Sequence, residues 1–234
     1  MSDWREIVQR LRQACFEAGL DLVHPFGTGQ LTEAAADEHL QDFRRKNALG
    51  ILIGNTRALW PAFTRAHARS AELQNSTNPL DTYVSERITH AATSGAAAHE
   101  IVFAHVVQPR AYPIQRLAER SGFAALSPCH LVIHPEHGLW LGLRAVITFD
   151  CDGPPESAPP AARACDSCSA PCVSALEQAI SITPKPLGRA TISQQADAWI
   201  EVRRVCPVGQ ASRYGEAQLR YHYVHDSTLI RAKP

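Results

Sequence analysis

The stretch His130 to Phe149, HLVIHPEHGLWLGLRAVITF, constrains this chain more than any other. Two runs rich in β-branched residues flank Pro135-Glu136-His137-Gly138, a pattern that predicts a β-hairpin closed by a four-residue loop. The second run, Leu139 to Thr148, is the longest strand signal in the sequence. Its odd positions (Leu139, Leu141, Leu143, Ala145, Ile147) are all apolar and are expected to face a core. Its even positions begin with Trp140, Gly142 and Arg144, which put an aromatic plate, a missing side chain and a fixed cation on one face. Glycine weakens a strand, and one reason to keep it there is close approach of another group to the backbone. Two readings stand. Either a helix covers this face and Arg144 sits in an ordinary ion pair, or a flat ligand lies over Gly142 while Arg144 holds an anionic group.

A chain of 234 residues can build one full core, or one domain with a small appendage. The formal net charge is zero and neither sign forms a long run, so nothing predicts nucleic-acid or anionic-membrane binding. The first twenty residues carry charges every few positions and have no h-region, and no apolar run approaches membrane-spanning length. A cytoplasmic location is the expectation.

Trp4, Ile7, Val8, Leu11, Ala14, Cys15 and Ala18 recur at helical spacing and stop at Gly19. Leu20 to Val23 reads as a short strand before a turn at His24-Pro25-Phe26-Gly27, and residues 28–47 as loop plus a weak helix. Ala48 to Ile53 reads as a buried strand. Ala58 to Leu73 reads as one helix with His67 on its wet side, and Leu80 to about Ala98 as another, with Pro79 at its start. A strand over Ile101–Val107 and a short helix after Pro113 follow. Without a strict βαβ alternation the expected class is α+β, a largely antiparallel sheet flanked by helices over residues 1–150. Asp150 to Arg163 holds four prolines and a glycine and reads as a linker or extended loop. It leads to a cysteine-containing helical C-terminal region, residues 151–234, expected to pack on the same domain, with helices around Val173–Ile180, Ser193–Arg204 and Gly215–His225.

Of the chain's seven cysteines, Cys165, Cys168 and Cys172 form C-x2-C-x3-C, and Cys206-Pro207 lies further on. Thiolates at these separations can reach one centre, an iron–sulfur cluster or zinc, with Cys206 as the fourth ligand. A site without metal or a redox thiol pair is the alternative. His134 before Pro135 reads as a turn residue, and His222 and His225, one turn apart, as a solvated helix face in preference to a pair of metal ligands. Arg203, Arg204 and Arg213 flank Cys206 and, with Arg144, are candidates for an anion-binding pocket. No phosphate-binding glycine loop and no nucleophile elbow occur.

Taken in order, His24-Pro25-Phe26, Asn55-Thr56-Arg57-Ala58, Asn78-Pro79-Leu80-Asp81, His134-Pro135-Glu136-His137-Gly138-Leu139-Trp140, Leu143-Arg144-Ala145-Val146 and Arg213-Tyr214-Gly215-Glu216-Ala217-Gln218 resemble the CblC (MMACHC-like) cobalamin-processing proteins. Those proteins are related to the cobalamin-binding part of epoxyqueuosine reductase. The resemblance spans nearly the whole chain and implies a flavin-nitroreductase-like fold that binds cobalamin with its lower base detached. It places Pro25, Phe26, Asp81, His134, Gly138, Trp140, Gly142 and Tyr214 among the cobalamin-binding positions. Arg144 and Arg213 match arginines that hold glutathione, whose thiolate removes alkyl groups from cobalt. Reductive decyanation is the companion reaction, with glutathione or reduced flavin as co-substrate. A homodimer and a downstream cobalamin acceptor protein are further expectations. This chain departs from the animal members at Glu119-Arg120-Ser121-Gly122, where they carry His-x-x-Gly, and at Leu139, where they carry the second glycine of a pair. Its cysteine-rich region is absent from the animal proteins and resembles the ferredoxin-like tail of epoxyqueuosine reductases, in reduced form: Leu176 lies near where a fourth clustered cysteine would fall, and the site is kept only if Cys206 substitutes. Three functions follow as alternatives: an enzyme that strips the upper axial ligand, a cobalamin carrier without turnover, and an iron–sulfur/cobalamin redox protein.

Overall fold

All eight residues of strand β2, Ala48–Asn55, are buried, and the main sheet is assembled on it. In this computed structural model, which describes residues 3–31, 40–95, 97–107, 111–155 and 159–231, strand β1 (Leu22–Gly27) pairs antiparallel with one side of β2. Strand β6 (Gly142–Asp152) pairs antiparallel with the other side. Strand β3 (His99–Phe103) then pairs with β6, giving the order β1-β2-β6-β3. The expected turn at His24–Gly27 is part of β1, with Pro25 in register with Ile51. Proline donates no backbone hydrogen bond, and the edge position of β1 tolerates that loss.

Helix α1 (Trp4–Glu17) starts on the Asp3 side chain, which accepts from the Arg5 amide, and buries Ile7, Val8, Leu11 and Cys15. Gly19 ends it at φ +75°, and a side chain there would stand 2.6 Å from the Ala58 carbonyl oxygen. The single helix expected over residues 58–73 is two, α2 (Leu59–His67) and α3 (Ala71–Asn75), because the Ser70 hydroxyl accepts from the Leu73 amide and caps a new start. His67 faces inward, 6% exposed and edge-on to Phe63, not toward water. Helix α4 (Pro79–Thr93) carries its proline in the first turn. These helices cover one sheet face over Leu49, Ile51, Ile53, Ala145, Ile147 and Phe149. On the other face Phe26, Leu52 and Val146 pack with Leu117 of α5 (Ile114–Arg120) and with Phe123.

The predicted hairpin is not formed. Its turn is present, since His134 and Gly138 exchange backbone bonds of 3.0 and 2.8 Å. The two arms then part: β5 (Val132–Ile133) pairs with β4 (Ala125–Leu126), and β6 pairs elsewhere. The reason lies in Leu139-Trp140-Leu141, where three consecutive buried side chains enter three separate clusters and leave no strand to pair. Further on, Ile53 faces Ala145 while Gly54 faces Leu143, so Arg144 is the extra residue of a β-bulge. The bulge changes the phase of the strand: Leu141 and Leu143 pack in the same cluster as Val146, and Ala145 and Ile147 pack on the opposite face.

The proline-bearing stretch begins later than expected, because β6 continues to Asp152 and Arg45 grips Asp150 at 2.8 Å and Asp152 at 2.9 Å. Residues 156–158 of that stretch lie outside the described residues, as do 32–39 of the segment read as loop and weak helix. Four helices follow: α6 (Pro171–Ile182), α7 (Arg189–Gln194), α8 (Ala196–Arg204) and α9 (Glu216–Val224). They close the end of the sheet where β6 begins. Tyr221 of α9 lies 5.3 Å from Trp60 and joins the principal core with Ile230.

Candidate functional site

Strand β6 delivers Arg144 to the entrance of the sheet, and the end of β2 receives it. Its Nε donates to Asn55 Oδ1 at 2.6 Å, and Asn55, fully buried, donates its own amide to the Thr56 carbonyl at 2.7 Å. Asp21 clamps the next residue, accepting from the Thr56 amide at 2.7 Å and its hydroxyl at 2.5 Å. Gly142 shares this face, and a Cβ there would come within 3.1 Å of both Arg144 Nη2 and Asn55 Oδ1. Arg144 makes no salt bridge with a carboxylate among the described residues. Burial lowers its pKa, and Tyr214 and Asp81 act in the opposite sense.

A second guanidinium stands beside it. Arg203, near the end of α8, donates from Nε to the Tyr223 hydroxyl at 3.0 Å and from Nη1 to the Leu139 carbonyl. Burial opposes its charge, yet the Tyr223 and Tyr214 phenols outweigh that and hold its pKa above the usual value. Helix α9 adds His222, which burial and the charges of Arg144 and Arg203 hold well below the usual histidine pKa, hence neutral. Tyr214 contacts both Trp140, edge-on at 5.9 Å, and His222, at 5.4 Å. Burial pushes the Tyr214 phenol up to about 12, so it remains protonated.

Four polar atoms of this region are buried without a hydrogen-bond partner: Trp140 Nε1, Tyr214 Oη, Gln218 Nε2 and His222 Nε2. Each such group costs about 1–3 kcal/mol of desolvation when unpaired, and buried unpaired polar groups are few in folded proteins. Three of the four are N–H or O–H donors as drawn, and both arginines are donors too. The cluster is thus cationic and donor-rich, suited to an anion or to a ligand edged with carbonyl oxygens. A cleft of about 220 Å³ opens beside it, lined by Leu141, Gly142, Leu143 and Arg203 with Ile114, Gln115, Leu131, Val132 and Leu139.

The other predicted positions fall elsewhere. Arg213 is exposed, donating to the Arg204 carbonyl at 2.5 Å with its guanidinium 5.3 Å above the Trp140 ring. Asp81, half-buried in the first turn of α4, bears electrostatically on Arg144. Phe26 fills the space a side chain at Gly50 would need, and Pro25 lies beside it on β1. Gly138, at φ +59°, packs against the Val208 carbonyl. His134 stacks on His137 at 4.7 Å and tilts against Phe123 at 5.0 Å, where burial and the neighbouring His137 lower its pKa to about 4. That histidine group lines a separate groove with Arg12, Phe16 and Asp21.

Sequence reasoning singled out Arg203 only as one of several arginines, and it read His222 as solvated. Both lie at the cluster because α9 and the end of α8 fold back over Trp140, a placement no local pattern encodes. Cys165, Cys168, Cys172 and Cys206 do converge, since all four line one small cavity with Leu139, Pro171 and Pro207. Among the described residues, no group of three or more His, Cys, Asp or Glu is set to hold a metal ion. All seven cysteines are free thiols. No helix among the described residues is long and apolar enough to cross a membrane.

Among solved structures, the fold matches that of the C. elegans B12-trafficking protein CblC, a homologue of human MMACHC. The TM-score is 0.73 at 17% sequence identity, covering 97% of this chain and 95% of that one. No family model and no curated protein matches the sequence. The chain therefore has the α+β, nitroreductase-like fold of that protein over nearly its whole length.

Proposed function

We propose that this protein binds cobalamin with the lower base detached and removes its upper axial ligand, using a thiolate such as glutathione as the acceptor. The observation that carries this reading is the cluster of two guanidiniums that, among the described residues, have no salt-bridging carboxylate, beside four buried polar atoms without a partner there, next to a glycine on the strand face. Cobalamin is a flat macrocycle fringed with amide carbonyls, and the donors Trp140 Nε1, Tyr214 Oη and Gln218 Nε2 are complementary to such an edge. Gly142 leaves the backbone open to a flat ring. Arg144, anchored through Nε alone, keeps its terminal nitrogens for a bidentate bond to a carboxylate, and glutathione carries two. The match to a B12-trafficking protein over nearly the whole chain supports the same reading.

Within this scheme Arg144 and Arg203 orient the anionic co-substrate, and His222 is neutral. Water exclusion follows from α8 and α9 over Trp140, which strengthens each charge–dipole contact. Arg213, through its contact with the outer face of Trp140, positions that ring.

Product analysis with methylcobalamin and glutathione tests the assignment. The native protein is expected to yield the S-methyl thioether and reduced cobalamin. Arg144→Ala is expected to lower turnover at least tenfold while leaving corrin binding in place. Equal turnover in that variant overturns the role of Arg144. Tight binding without any product, with every thiol and reduced flavin tried, replaces the enzyme with a carrier.

A further inference from the structure

The cavity lined by Cys165, Cys168, Cys172 and Cys206 lies directly behind the candidate site. The Leu139 carbonyl accepts from Arg203, while the Leu139 amide donates to the Cys206 sulfur, so one residue touches both. The four thiols come from three places: the turn at Cys165–Cys168, the first turn of α6 and the end of α8. Backbone amides already point at the sulfurs. Ala170 donates to Cys168 Sγ at 3.4 Å, and Val208 donates to Cys206, each two residues after its cysteine. Amides so placed stabilise charge on a coordinated thiolate and tune bound iron–sulfur centres.

Four sulfurs line one apolar cavity. A polynuclear cluster spreads its thiolates further apart than a lone ion does, one to each iron. A fifth sulfur, Cys129, is hydrogen-bonded to Cys172 and to the Ser127 hydroxyl at 3.1 Å.

We infer that Cys165, Cys168, Cys172 and Cys206 ligate an iron–sulfur cluster, with Cys129 as a hydrogen-bonding neighbour of Cys172 outside the ligand set. Ligation releases the thiol protons, one for each sulfur that binds. The inference does not depend on cobalamin. The test is to purify the whole chain without oxygen, reconstitute it with ferric iron, sulfide and excess dithiothreitol, which reduces two of every four irons as its thiols form a disulfide, and measure iron, acid-labile sulfide and visible absorption. About four irons and four sulfides per chain are expected for a cubane cluster held by four cysteines. Cys206→Ser and Cys168→Ser are each expected to lose at least half of the iron, while Cys129→Ala and the remote Cys15→Ala retain it. Far-UV circular dichroism checks that each variant folds, and Cys168, partly exposed, is the substitution least damaging to packing. Iron content no greater than that of a Cys165/Cys168/Cys172/Cys206 quadruple serine variant overturns the inference. So does stoichiometric zinc, or a Cys206–Cys172 disulfide, in place of iron. Cluster content without any cobalamin spectrum would leave this site standing and remove the cobalamin reading instead.

Discussion

Among the described residues Arg144 is held in place by one side chain, Asn55, and that makes Asn55 the residue on which the proposed anion binding turns. Removing it deletes a hydrogen bond to a charged group, worth about 1.5–3 kcal/mol. Asn55→Ala is therefore expected to raise the KM for glutathione roughly tenfold or more by that same energy scale, while the corrin spectrum changes little; steady-state kinetics at fixed cobalamin measures this. Arg144→Lys is expected to rescue poorly, because an ammonium cannot reproduce the guanidinium fork. The histidines carry a pH signature of their own. His134 has a folded pKa of about 4 against 6.5 for the free side chain, and His222 is also lowered. Below pH 6.5 the unfolded chain takes up protons that the folded chain refuses, so stability is full above 6.5 and falls as pH drops toward 4. Urea denaturation at a series of pH values should show that loss, and His134→Asn should flatten it. A pH-independent midpoint between 7 and 4.5 contradicts the burial of these rings.

At the scale of elements, the turn at Gly138 and the bulge at Arg144 set where β6 starts and which way it faces. Gly138 sits at φ +59° with the Val208 carbonyl oxygen 2.1 Å from where a Cβ would be. Gly138→Ala is expected to cost about 1–3 kcal/mol from backbone strain alone, measured as a lowered Tm. Gly142→Ala, whose added methyl only nudges Arg144 and Asn55, should alter thiol kinetics with a smaller loss of Tm. Much of the scaffold was legible: the four-residue spacing of Ile7, Leu11 and Cys15 marks α1, the apolar run of Ala48–Ile53 marks β2, and Pro79 marks the start of α4. The hairpin was not, because alternation of apolar residues is the same whether Leu139, Trp140 and Leu141 share one core or enter three. A bulge leaves no mark in the pattern either, so the phase change at Arg144 was invisible. Nor does a local window reveal that Pro25 sits on an edge strand, where its missing N–H is harmless.

For the molecule as a whole, the C-terminal helices belong to the core and complete the site at once. Tyr221 is 2% exposed among Trp60 and Phe63, while the same helix carries Gln218 and His222 into the cluster. Tyr221→Ala is expected to cost about 3–5 kcal/mol, as large aromatic truncations do, and to abolish ligand binding in the fraction that remains folded. The grouping of Arg144, Trp140 and Gly142 could be read from one strand, but Arg203 and His222 enter only through tertiary packing. The account stands or falls on cobalamin binding, and the direct measurement is a titration of the purified protein with methylcobalamin in the dark, followed by visible spectroscopy and then by addition of glutathione. A shift to the base-off spectrum on binding, and its loss as thiol is added, is the predicted result. An unchanged base-on spectrum at protein concentrations well above that of the ligand would contradict it.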